Sequence, residues 1–143
     1  MNRETIRLLR ECDSGVKMAV ASINDVIGRV EEPSLREHLT RSCEAHTAYG
    51  QEMARLMNSA GFRAPAANPI ARSMAKMKTS LKLALHPGDS TVADLMTDGC
   101  NMGIRSLSRY LNRNPEANAQ SREMARRLIG LEDGLADGLR DYL

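Results

Sequence analysis

A seven-residue recurrence near the N-terminus constrains this chain most. Leu9, Val16, Ile23 and Val30 repeat at that interval, with Cys12, Ala19 and Val26 at the companion positions. Such a seam belongs to a long helix that must bury one face against other helices. Elsewhere no segment alternates with period two and β-branched residues are scarce, so the whole chain reads as helix.

The prolines punctuate it. Pro33, Pro69 and Pro115 each precede a helix-compatible stretch, where a proline fits the first turn, and Pro87 follows one. The first helix is expected from Glu4 to Val30. The second is expected from Pro33 to Ala60, stopped by Gly61, with Leu35, Leu39, Ser42, His46, Tyr49, Met53, Leu56 and Ala60 on its inner stripe. So short a connection makes these two an antiparallel hairpin. A loop from Gly61 to Asn68 leads to a shorter third helix, from Pro69 to His86. Its stripe of Ile70, Met74, Met77, Leu81, Ala84 and Leu85 is expected to face the bundle. The fourth helix, capped by Asp89 or Ser90, reaches Asn112. The fifth, capped by Asn114, buries Met124, Leu128, Leu131, Leu135, Leu139 and Tyr142.

With 143 residues, 42% of them hydrophobic, the chain is one domain, residues 1–143, with enough apolar content for its own core. Its net charge of +2 and four aromatic side chains, Tyr49, Phe62, Tyr110 and Tyr142, exclude a nucleic-acid partner held by bulk charge or base stacking. No apolar run is long enough for a membrane span, and the charged first ten residues do not make a secretory signal. Three cysteines without a Cys-x-x-Cys pair do not make a disulfide framework, so a cytoplasmic location is expected.

Two hairpins joined by a crossover make the ferritin-like arrangement. The runs Met74-Ala-Lys-Met-Lys, His86-Pro-Gly-Asp and Ala93-Asp-Leu-Met-Thr-Asp-Gly-Cys-Asn-Met-Gly-Ile-Arg-Ser-Leu resemble uncharacterised small bacterial proteins of the ferritin-like four-helix-bundle class. The resemblance implies that fold and no particular activity.

Di-iron proteins of that fold take a Glu from each of two helices and a Glu-x-x-His from each of the other two. Here Asp13 is the carboxylate nearest the core on the first helix. His46 is preceded three residues earlier by Cys43 instead of Glu. The fourth helix has only Asp94 and Asp98, and Glu132 is followed by Leu135 where the His would stand. The ligand set of a di-iron oxidase is therefore missing, and no catalytic residue is assigned. Counting from the helix starts instead places Cys43, His46 and Cys100 at neighbouring levels. Two thiolates and an imidazole suit zinc or another thiophilic metal. Read as packing alone, His46 occupies a core seam where leucine could replace it.

Three further features bear on function. Gly99 with Gly103, and Gly130 with Gly134 and Gly138, fall at spacings of four; such ridges either pack helices closely or line a pocket. The methionines of the second to fourth helices suit an adaptable core or an apolar cavity for a small ligand. Residues 61–88 contain Arg63, Arg72, Lys76, Lys78 and Lys82 and no acid, so the remainder of the chain carries −3. Arg72, Lys76, Lys78 and Lys82 thus offer a face to an acidic partner. The expected function is that of a non-enzymatic bundle, in stress or storage physiology, that acts by partner binding or self-association, and the expected state is a monomer or weak homodimer. The alternatives are the Cys43–His46–Cys100 metal site and the small-ligand cavity.

Overall fold

The computed structural model describes residues 1–63 and 69–143, and these are helical almost throughout, without a strand among them. The helices are α1 (Arg3–Val26), α2 (Pro33–Ser59), α3 (Pro69–Leu85), α4 (Asp89–Arg113) and α5 (Ala119–Leu139). Short 3-10 turns extend α1 over Ile27–Arg29 and α5 over Arg140–Tyr142. The loop expected from Gly61 to Asn68, with Pro65, lies outside the described residues from position 64 onward.

Local chemistry sets most helix ends. The Asn2 side chain accepts the Thr5 N–H at 2.8 Å and caps α1. Gly61 ends α2 with a positive φ of 81°. There the Gly61 N–H bonds the Asn58 carbonyl and the Phe62 N–H reaches back to the Met57 carbonyl, a Schellman ending that needs the left-handed residue. Two expected caps fall elsewhere. Gly88 is the N-cap of α4, and Asp89 instead accepts the Glu31 and Glu32 N–H groups at 2.9 and 2.8 Å, tying the α1–α2 turn to α4. Asn118, not Asn114, caps α5 by accepting the Ser121 N–H. Asn114 closes α4 and donates to the Tyr110 carbonyl.

Helices α1, α2, α5 and α4 pack in a ring, each beside the next, with α1 and α5 also touching across it. Cross-helix bonds fix the directions. Ser106 meets Glu11, and Asp89 meets the turn after α1, so α4 runs antiparallel to α1. His46 meets Glu132 and Ser34 meets Tyr142, so α5 runs antiparallel to α2. The interior is formed by two apolar clusters. Leu8, Leu9, Cys12, Tyr49, Met53, Leu107 and Leu128 belong to one, and Ile23, Leu35, Leu39, Val92, Cys100, Leu135 and Leu139 to the other. Most of the seam expected on α1, α2 and α5 is buried, Leu9, Val16, Ile23 and Val30 included, whereas Ala19, Ser42, Leu56, Leu131 and Tyr142 are half-buried and Ala60 is exposed.

Helix α3 reverses expectation. It packs on α1 and α4 with Leu83 as its one buried residue among those described. Arg72 pairs with Asp25 at 3.0 Å and Lys82 with Asp94 at 3.1 Å. The apolar stripe points away from the bundle: Met74, Met77, Leu81 and Leu85 are 66%, 72%, 62% and 66% exposed, and Ile70 is exposed beside them. The basic side of the helix provides the attachment, because Asp25 and Asp94 stand where α3 crosses. No helix among the described residues is long and apolar enough to cross a membrane.

Candidate functional site

Two places in the molecule depart from a plain helix-packing solution. The first is a buried polar pair. His46 and Glu132 are 1% and 5% exposed and lie between the two apolar clusters. Position 46 falls on the inner stripe of α2, between Cys43 and Tyr49. Position 132 falls on that of α5, between Leu128 and Leu135. His46 Nε2 stands 3.0 Å from Glu132 Oε1, and Nδ1 stands 2.7 Å from the Ser42 carbonyl one turn back. A carbonyl can only accept, so Nδ1 carries a proton. The remaining shared proton then sits on His46, as imidazolium beside carboxylate, or on Glu132. Burial lowers the His46 pKa, but the Glu132 hydrogen bond, the Ser42 carbonyl and the Glu132 charge outweigh it, and the net shift is upward.

Cys100 adjoins the same carboxylate. Burial first, then the charge and hydrogen bond of Glu132, push its thiol pKa well up, so it stays protonated. Burial likewise pushes the Cys12 thiol up to about 12, against a smaller lowering by Tyr49. Cys43 takes a different direction, toward Asn24 Oδ1 on α1 at 3.9 Å. Among the candidate ligands Cys43, His46 and Cys100, then, the structure brings His46 and Cys100 to a common partner and turns Cys43 aside. No group of three or more His, Cys, Asp or Glu side chains among the described residues is placed to hold a metal ion. The sequence reading named Glu132 only as the fifth helix's carboxylate without a His, and missed its pairing with His46. A carboxylate on the Leu128–Leu135 stripe was the available signal.

A groove of about 780 Å³ runs between α1 and α2, with Asp13, Lys17, His46 and Gly50 along it and Phe62 and Arg63 at one end. Lys17 pairs with the buried Asp13 at 2.7 Å. Of the helical methionines, Met57 lines this groove. Met53, Met96 and Met124 are core, whereas Met74, Met77 and Met102 are exposed. The methionines therefore do not gather into one apolar cavity.

The glycine ridges do not meet. A Cβ at Gly99, Gly130 or Gly134 would touch nothing, and at Gly103 it would make ordinary contact with Glu132. Gly138 alone is crowded: its backbone carries the ring of His38, which bonds the Leu135 carbonyl at 2.9 Å.

The second place is the outward stripe of α3. A 17-residue amphipathic helix with its apolar side in solvent is unusual, because that side provides the free energy a helix gains on packing. Among the described residues, Lys76 and Lys78 are exposed and form no ion pair, and Arg63 is exposed just before the undescribed segment. The stripe, with Lys78 at its border, can take up a partner that is apolar at the surface and negative beside it. Searches for protein families, for curated proteins and for solved structures like this chain find no match.

Proposed function

We propose that this chain is a ferritin-like four-helix bundle that acts without catalysis, by docking a partner through the outward face of α3. The antiparallel α1–α2 and α4–α5 pairs, with α3 between them in sequence, support the ferritin-like reading. The single observation that carries the docking role is the exposure of Met74, Met77, Leu81 and Leu85 on one side of one helix. Contiguous apolar surface of this kind marks interaction sites. A bacterial, cytoplasmic setting fits the three unpaired cysteines.

The test is a comparison of stability. Met77→Ser combined with Leu81→Ser removes apolar surface that the bundle does not use. It leaves the unfolding free energy, measured by urea titration, within about 0.5 kcal/mol of the parent protein. A loss of several kcal/mol would show that the stripe belongs to the core, and would end the docking reading.

The zinc alternative on Cys43, His46 and Cys100 has less support. Both ring nitrogens of His46 already face oxygen atoms, so a metal would have to displace Glu132 or Ser42. Metal analysis of the protein as purified tests it.

A further inference from the structure

Building on the docking role proposed for α3, we infer that the surface it docks to is an anionic lipid bilayer, with the stripe at the acyl boundary and Lys78 among the headgroups. Three observations converge on this partner.

The first is charge. Residues 61–88 contain five basic side chains and no acidic one. The two carboxylates under the helix, Asp25 and Asp94, are already paired with its own Arg72 and Lys82. Lys78, exposed and without an ion pair among the described residues, therefore gives the outward face a positive sign. Lys78 borders the stripe, next to Met74, Leu81 and Leu85, where its long stem lets the ammonium group reach headgroups while the stripe sits deeper, whereas Lys76, four residues after Arg72 and seven before Leu83, lies on the side toward the bundle.

The second is size. A helix of 17 residues is roughly 25 Å long and about 10 Å across. Its footprint is roughly 250 Å², well short of the roughly 800 Å² per partner that a stable protein interface covers. A bilayer sets no such threshold, since an interfacial helix binds reversibly by whatever apolar area and charge it presents. A second copy of this chain fits poorly for another reason. Two α3 stripes crossing antiparallel about their midpoint, near Met77, would bring Lys78 against Lys78.

The third is composition. The exposed stripe is methionine and leucine, without the Trp, Tyr or Arg anchors typical of protein hot spots. Flexible methionines suit a surface without fixed shape.

Flotation of the full chain with vesicles decides the matter. Vesicles of phosphatidylglycerol and phosphatidylcholine should carry the protein at low salt, and vesicles of phosphatidylcholine alone should not. High salt should release it. Lys78→Gln should weaken binding about fivefold. Met77→Ser with Leu81→Ser should abolish it. On anionic vesicles Met74 and Met77 should be shielded from peroxide, while Met1, at the far end of α1, keeps reacting. Equal binding to neutral and anionic vesicles, or no binding to either, overturns the inference. If vesicles are ignored but sedimentation shows a dimer that Met77→Ser with Leu81→Ser dissociates, the occupant is a second copy. The docking role then stands and the lipid surface falls. If the double variant loses several kcal/mol of stability, both fall together.

Discussion

His46 and Glu132, 86 positions apart in sequence, meet at 3.0 Å between the two apolar halves of the core. The pair turns a position that looks like an ordinary core seam into one with a committed partner. Replacing His46 by leucine leaves the Glu132 carboxyl buried among Cys100 and Gly103 without its imidazole. The expected loss is about 3–5 kcal/mol, the range for breaking a buried pair from one side. Adding Glu132→Leu to His46→Leu should recover most of it, because a matched apolar pair leaves no uncompensated group. Urea unfolding of the two single variants and the double one measures the coupling.

The same contact makes stability depend on pH in a defined direction. The folded His46 pKa is raised above its ordinary value near 6.5, the unfolded reference. The contribution of this group is therefore fully present below that value and fades as pH rises through the folded pKa. Urea midpoints taken from mildly acidic to mildly alkaline pH should fall for the parent protein across that window. His46→Gln should remove this component of the fall. An NMR titration of the His46 ring should show a pKa above the ordinary 6.5.

Gly138 is the one glycine of its ridge that the fold requires. A Cβ there would overlap the His38 ring and displace it from the Leu135 carbonyl. Gly138→Ala should cost about 1–3 kcal/mol, the range for overpacking. Combining it with His38→Ala should reduce that cost. Gly130→Ala and Gly134→Ala meet open space and should each stabilise the protein by up to about 1 kcal/mol through helix propensity. Thermal melts of the series check the contrast.

Asp89 bonds two backbone N–H groups of the α1–α2 turn with one carboxylate. Asp89→Ala should destabilise the protein by about 1–3 kcal/mol. It should also raise amide exchange at Glu31 and Glu32 more than at Glu116, which is held at the opposite end by the Glu4 carboxylate.

Most of each seam on α1, α2 and α5 was legible in the residues because burial on a helix is periodic, and period is a property of sequence. The positions of Gly61, Pro33 and Pro69 were legible for the same local reason: each acts through its own backbone. Glu132 was legible only as an anomaly, one carboxylate on the stripe of Leu128 and Leu135. Its partner lies on another helix, and no local pattern encodes which helices become neighbours. The third helix shows the boundary most clearly. Its sequence defines an apolar side and a basic side and is silent on which one meets the bundle. That choice rests on where α3 crosses α1 and α4, beside Asp25 and Asp94. There Arg72 and Lys82 find carboxylates, Leu83 fills the contact, and Met74, Met77, Leu81 and Leu85 are left facing out.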